Sequence, residues 1–168
     1  MKHGLTMIVL LIAQVIVWSY FNLSQYVLLT FLPAMVLCLP VRMGTVKTLI
    51  IAAAASLAID FLTHGILGLT CASILPVAFC RRFVISLVFG EELIEREEDL
   101  SFRRQGFFKM NLAVIICTAL FLLVYIWLDG AGMRSLAFNG IRFACSLAAS
   151  SLVSLFIATM LTDEENHK

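Results

Sequence analysis

Residues 48–69 read TLIIAAAASLAIDFLTHGILGL and decide the fold, because two apolar runs flank a short polar turn. Alanines 52–55, followed by Ser56 and Ala58, place small side chains at the centre of the first run. A helix that rises about 1.5 Å per residue carries Asp60 about 18 Å beyond Thr48. That position is close to the far boundary of a hydrocarbon layer about 30 Å thick. The stretch therefore predicts a membrane hairpin whose small-residue face lets other helices approach closely.

An ionisable side chain at membrane depth is costly, so Asp60 calls for a partner or a role. Arg142 lies about two turns into the last apolar run, and both residues are predicted toward the outer leaflet. An ion pair between Asp60 and Arg142 would lower the cost of burying either charge alone. The sequence leaves two other interpretations of Asp60 open, which are binding of a partner protein and a proton or solute site.

The composition places the chain among integral membrane proteins. Of its 168 residues 61% are hydrophobic, and the mean hydropathy is +1.00, whereas soluble domains average about 45–50% apolar residues. A net charge of +1 gives no reason to expect nucleic-acid binding. The five cysteines stand singly, without metal-ligand spacing. We find no catalytic Ser/His/Asp set and no phosphate-binding loop, so the sequence predicts a protein without enzymatic activity, cofactor or metal.

Six apolar runs predict a compact all-α bundle of about six transmembrane helices, forming one polytopic membrane domain over residues 1–168. The first run ends in bulky residues without a signal-peptidase site, so we interpret it as a retained span. The second run is the weakest, because Pro33 lies in its middle. The fourth is short and contains Pro76, and residues 84–89 are expected to bend along the membrane surface. The predicted runs are residues 5–21, 23–39, 45–61, 66–79, 108–128 and 136–161.

Basic residues concentrate in alternate loops, which places both termini in the cytoplasm. The same rule places residues 81–107 on the cytoplasmic side as an acidic elbow. This elbow is either a solvated linker or a short amphipathic helix that docks a cytoplasmic partner. The residues of the docking interpretation are Glu91, Glu92, Glu95 and Arg96.

Small residues mark two further features. Gly65 and Gly68 are predicted to permit the hairpin turn, because glycine adopts backbone conformations that other residues avoid. Gly140, Ala144 and Ala148 recur at four-residue spacing in the sixth run, which lets a second helix pack closely. That second helix is either the third span of this chain or a transmembrane helix of a partner.

The hairpin and its surroundings resemble the rod shape-determining protein MreD family. The resemblance covers roughly residues 30–130. The order of its features is similar to the form of the family that has a longer central loop. The matching features are a small-residue span, Asp60, Gly65 and Gly68, the preceding Leu39-Pro40-Val41, and the following Arg81-Arg82-Phe83 with its acidic segment.

This resemblance implies a non-enzymatic scaffold in the bacterial cytoplasmic (inner) membrane, within the cell-elongation machinery. Its implied partner is the bitopic protein MreC, through which peptidoglycan synthases and an actin-like filament are reached indirectly. The alternative is a substrate-binding subunit of an energy-coupling-factor vitamin transporter, also a six-span bundle. Such a subunit needs polar side chains converging on a pocket and uses Ala-xxx-Ala spacing in its first span. The first run of this chain lacks that spacing.

Overall fold

The structure is a computed structural model that describes residues 2–21, 28–39, 44–63, 67–90, 107–130 and 136–163. These residues form six helices and no strand, which confirms the all-α prediction for the described part of the chain. The helices are α1 (Lys2–Phe21), α2 (Leu32–Leu37), α3 (Thr45–Leu62), α4 (Leu69–Phe89), α5 (Phe107–Gly130) and α6 (Leu136–Asp163).

Three of these helices are long and apolar enough to cross a membrane: α3, α4 and the Phe108–Asp129 part of α5. Helix α1 is 20 residues long, and it contains the apolar stretch Val9–Trp18. Large apolar side chains cover the outside of the long helices; Phe61 and Phe79, for example, are 72% and 68% exposed. An apolar exterior of this kind suits contact with lipid, where packing rather than burial from water holds helices together.

The long helices surround α2. Helix α1 contacts α3, α3 contacts α4, α4 contacts α5, and α5 contacts α6, while α2 contacts α4, α5 and α6. Side chains from α1 and α6 also pack over Phe31 and Met35 at the start of α2. Every residue of α2 is buried. The centre of the bundle is therefore occupied by protein.

The prediction of a helical span over residues 23–39 is wrong for the part of it that the structure describes, residues 28–39. Within the described part of that run, residues 28–31 are not helical and α2 has only six residues, which corresponds to about 9 Å of helix. Pro33 lies in the first turn of α2, where its missing N–H costs no hydrogen bond. Proline therefore marks the beginning of a short helix here. We call residues 28–39 the core segment.

Helix α4 also differs from the prediction. A short fourth span ending near Phe79 was expected, with residues 84–89 bending away. Instead α4 continues over 21 residues to Phe89, with Pro76 inside it, and ends at Gly90. Val84 and Ile85 are 4% and 1% exposed because they belong to the core. Burial of this stretch against the other helices keeps it in line with the rest of α4.

Candidate functional site

The non-helical residues 28–31 are held by a row of serines on α6. The backbone N–H of Leu28 donates to Ser146 Oγ at 2.9 Å, and Ser150 Oγ donates to the Leu28 carbonyl at 2.9 Å. Ser150 Oγ also accepts the N–H of Thr30 at 3.1 Å, and Ser154 Oγ donates to the Thr30 carbonyl at 3.4 Å. All three serines are fully buried. The serine row therefore replaces the backbone partners that a helix would have supplied.

Helix α1 supplies the partners on the other side of the same residues. Gln14 Oε1 accepts the N–H of Phe31 at 3.1 Å, and Gln14 Nε2 donates to the Leu29 carbonyl at 3.4 Å. Trp18 Nε1 donates to the same carbonyl at 2.8 Å. Gln14 is fully buried. Non-helical backbone at membrane depth is tolerated only where protein or water satisfies it, and these side chains meet that requirement.

The spacing of the serines matches the rise of the chain beside them. Four residues of helix rise about 6.0 Å, and two residues of extended chain rise about 6.6 Å. Serines at every fourth position of α6 therefore meet every second residue of the non-helical chain. Leu28 and Thr30 turn their backbone groups to α6, while Leu29 and Phe31 turn theirs to α1.

Arg81 of α4 holds the opposite end of the core segment. Its Nε and Nη2 atoms each donate to the Leu37 carbonyl at 3.2 Å, and Nη2 also donates to the Leu39 carbonyl. The last carbonyls of a helix have no partner within the helix and carry partial negative charge. At the end of α2, the guanidinium group of Arg81 donates hydrogen bonds to these carbonyls, and its positive charge offsets their partial negative charge. Arg81 is 5% exposed, and its charged group binds backbone carbonyls inside the fold.

Asp60 joins the end of α3 to the beginning of α4. Its Oδ2 atom accepts the backbone N–H of Gly68 at 2.9 Å and that of Thr70 at 3.2 Å. The first N–H groups of a helix are unpaired and favour a negative charge, so the carboxylate stabilises the start of α4. Gly68, the N-cap residue, has a φ of +90°, a left-handed conformation that suits glycine. Asp60 is 2% exposed and needs no cation to explain its burial.

The predicted ion pair between Asp60 and Arg142 does not form. Arg142 pairs with Asp129, whose Oδ2 atom lies 2.5 Å from Arg142 Nη1. Both side chains are largely buried, at 12% and 21% exposure. Asp129 lies at the end of α5 and Arg142 two turns into α6, so antiparallel neighbours bring the two together. The predicted fifth run ends at residue 128, one residue before Asp129, so the sequence interpretation did not consider Asp129 as a partner of Arg142.

The small residues of α6 lie on the outside of this chain. Gly140, Ala144 and Ala148 are all exposed, and a Cβ added to Gly140 would meet no atom within 4 Å. They do not form a packing face toward the third span, which was one of the two expected neighbours. The inward face of α6 is the serine row, displaced by two residues from the small ones.

Several predicted residues lie outside the described part of the chain. These are Gly65 of the turn and the four residues of the proposed docking site in the acidic elbow, namely Glu91, Glu92, Glu95 and Arg96. The turn at Gly65 and the docking site in the acidic elbow therefore stay predictions.

Sequence reasoning missed the residues that hold the core segment. Ser146, Ser150 and Ser154 repeat every four residues within an apolar run, and polar side chains in such a run favour contact with protein over lipid. Gln14 interrupts the first apolar run in the same way. Both signals are present in the sequence. They indicate inward faces, although not the backbone that those faces contact.

The polar side chains described above bind backbone groups of this chain or, in the Asp129–Arg142 pair, bind each other. Among the residues that the structure describes, no three His, Cys, Asp or Glu side chains come together in a way that could hold a metal ion. No protein-family model, curated protein or solved structure matches the chain. Its function must therefore be argued from the contacts themselves.

Proposed function

We propose that this protein is a non-enzymatic, multi-pass scaffold of the bacterial inner membrane that acts in the cell-elongation machinery. In this proposal it binds an MreC-like bitopic partner and helps to organise lateral peptidoglycan synthesis. The resemblance to the MreD family at Asp60, Gly68 and the Arg81-Arg82-Phe83 sequence motivates the proposal.

One observation supports it most. The buried charged groups of the described bundle hold its own backbone or pair with each other, as with Asp60, Arg81 and the Asp129–Arg142 pair. The small residues of α6, by contrast, face outward. A partner's transmembrane helix can approach closely over such small side chains. Internal polar contacts with an external packing face suit a scaffold better than an enzyme.

The vitamin-transporter alternative requires polar groups around a ligand pocket. Here the centre of the bundle is filled by the buried α2, and the polar groups around residues 28–31 bind backbone. That arrangement favours the scaffold.

Native mass spectrometry of the protein, gently released from its own membranes at native expression, tests the proposal. We expect a stoichiometric bitopic partner with one membrane span. A retained vitamin-sized molecule or co-purifying ATPase subunits would overturn the scaffold in favour of the transporter subunit.

The part played by α6 has its own test. The double variant Ala144→Leu, Ala148→Leu should reduce partner capture at least about tenfold, because leucine holds the two helices apart. Ala54→Leu, an exposed position on α3, is the matched control and should leave capture unchanged. Equal capture by the wild type and the double variant would exclude this face of α6.

A further inference from the structure

An apolar crevice opens between α1, α2 and α3. Its volume is about 60 Å³, and the residues that line it are apolar. Leu11 contributes from α1, and Leu32 and Leu39 contribute from the core segment. Ile51, Ala52 and Ala55 form the wall on α3. The small alanines of α3 create the space, since longer side chains there would reach α2.

The crevice is too narrow for a helix. A helix with its side chains is about 10 Å in diameter, whereas a volume of about 60 Å³ holds only a short stretch of a hydrocarbon chain. It is also only one leaflet deep. Lys47, Ile51, Ala55 and Ile59 follow one another at four-residue spacing along α3, and Ile59 is only 1% exposed, so this face is closed beyond Ala55.

The depth and the charge at the mouth suit a phospholipid. From Lys47 to Ala55 is about 12 Å along the helix, which lies within the roughly 15 Å of one leaflet. Lys47 is exposed and shares the face of Ile51, one turn before the crevice begins. The positive end of the α3 dipole lies at the same end. A cation there would attract a lipid headgroup with net negative charge more strongly than a zwitterionic one, whose ammonium group offsets its phosphate.

We propose that this crevice is a binding site for one anionic phospholipid, with an acyl chain against Ala52 and Ala55 and the headgroup at Lys47. The acyl chain packs into the space between α1, α2 and α3. The inference does not depend on the proposed partner, because it concerns only the contacts of this chain with its bilayer.

The test uses the full chain in nanodiscs that contain equal amounts of phosphatidylglycerol and phosphatidylethanolamine, with native mass spectrometry of the lipid retained. The wild type should retain one phosphatidylglycerol. Ala55→Phe fills the crevice and should remove it, whereas Ala54→Phe, on the exposed side of α3, should not. Lys47→Gln should keep a lipid but lower the preference for phosphatidylglycerol about fivefold, and Lys109→Gln, another exposed lysine, should not.

Three results would overturn the proposal: lipid retention by Ala55→Phe equal to that of the wild type, equal loss in both phenylalanine variants, or an unchanged headgroup preference in Lys47→Gln. Loss of a bitopic partner in Ala55→Phe, with the lipid retained, would assign this face of α3 to a protein contact instead.

A second measurement covers the case in which Ala55→Phe fails to fold. A photoreactive amino acid at Ile51, which is already 40% exposed, should crosslink phosphatidylglycerol selectively. The same group at Ile50, which is 63% exposed and outside the crevice, should crosslink both lipids in proportion to their amounts. Equal selectivity at the two positions would contradict the site.

Discussion

The hairpin of α3 and α4 and the core segment satisfy their backbone hydrogen-bonding groups in opposite ways. In the hairpin, the backbone groups of α3 and α4 are satisfied mainly inside two regular helices, and a single carboxylate, Asp60, binds the otherwise unpaired N–H groups of Gly68 and Thr70. In the core segment, residues 28–31 depend on side chains from α1 and α6, and the end of α2 depends on Arg81. A hairpin is therefore a local structure, whereas the core segment exists only within the assembled bundle.

This difference has a consequence for stability. Removing Asp60 from the hairpin leaves the N–H groups of one helix start without their acceptor, while the rest of both helices keeps its own backbone hydrogen bonds. Removing a partner of the core segment leaves a buried backbone group without a hydrogen bond, which carries the full desolvation cost. We therefore expect the largest single loss at the charged partner of the core segment, Arg81, whereas each of its neutral serine partners contributes less than the charged Asp60 of the hairpin.

The largest effect is expected at Arg81. Arg81→Ala leaves the carbonyls of Leu37 and Leu39 without their charged donor and should lower the free energy of unfolding by about 3 kcal/mol. Arg82→Ala is the matched control, since Arg82 is exposed and its loss should stay within about 0.5 kcal/mol. Unfolding titrations in mixed micelles measure both. Equal losses of stability in the two variants would mean that Arg81 stabilises the fold through its positive charge alone, and not through its hydrogen bonds to Leu37 and Leu39.

A smaller effect is expected at Asp60. Asp60→Ala removes the acceptor of the Gly68 and Thr70 N–H groups and should cost about 2 kcal/mol. Asp60→Asn keeps a neutral acceptor oxygen and should cost about half as much. The same titrations apply. If both variants are as stable as the wild type, Asp60 does not stabilise the start of α4, and its function must be sought in a partner.

The smallest of the three effects is expected at Ser150. Ser150→Ala removes two hydrogen bonds to residues 28–31 and should cost about 1 kcal/mol, since hydrogen bonds between membrane helices average about 0.6 kcal/mol each. The neighbouring Ser151→Ala is the control, because Ser151 Oγ donates to the Ala148 carbonyl of its own helix. A loss at Ser151 as large as that at Ser150 would break the distinction between the two faces of α6.

The hairpin could be predicted because its signals are local. Apolar length, the small residues and the glycines near Asp60 all lie within residues 48–69. The predicted and observed beginnings of α3 coincide at Thr45, and the observed end is Leu62. The partner of Asp60 was not predicted, because a backbone N–H group leaves no mark in a sequence. Charge alone suggested Arg142, which pairs with Asp129 instead.

The core segment could not be predicted in the same way. Its apolar composition is that of a span, and Pro33 is compatible with either a kinked helix or a helix start. The deciding partners lie more than 100 residues away in α6. Small residues and serines alternate on α6 at the same four-residue period, so spacing did not reveal which of the two faces points inward. The contacts of the folded bundle decide it.

Hydrogen exchange of the individual amides of residues 28–31, in the protein reconstituted in lipid, tests the central claim most directly. We predict protected amides at Leu28 and Thr30, with Ser146→Ala accelerating Leu28 alone and Ser150→Ala accelerating Thr30, each about fivefold. Ser151→Ala should change neither. Rapid exchange of both amides in the wild type, or protection that persists in both serine variants, would contradict a core segment held by the serines of α6.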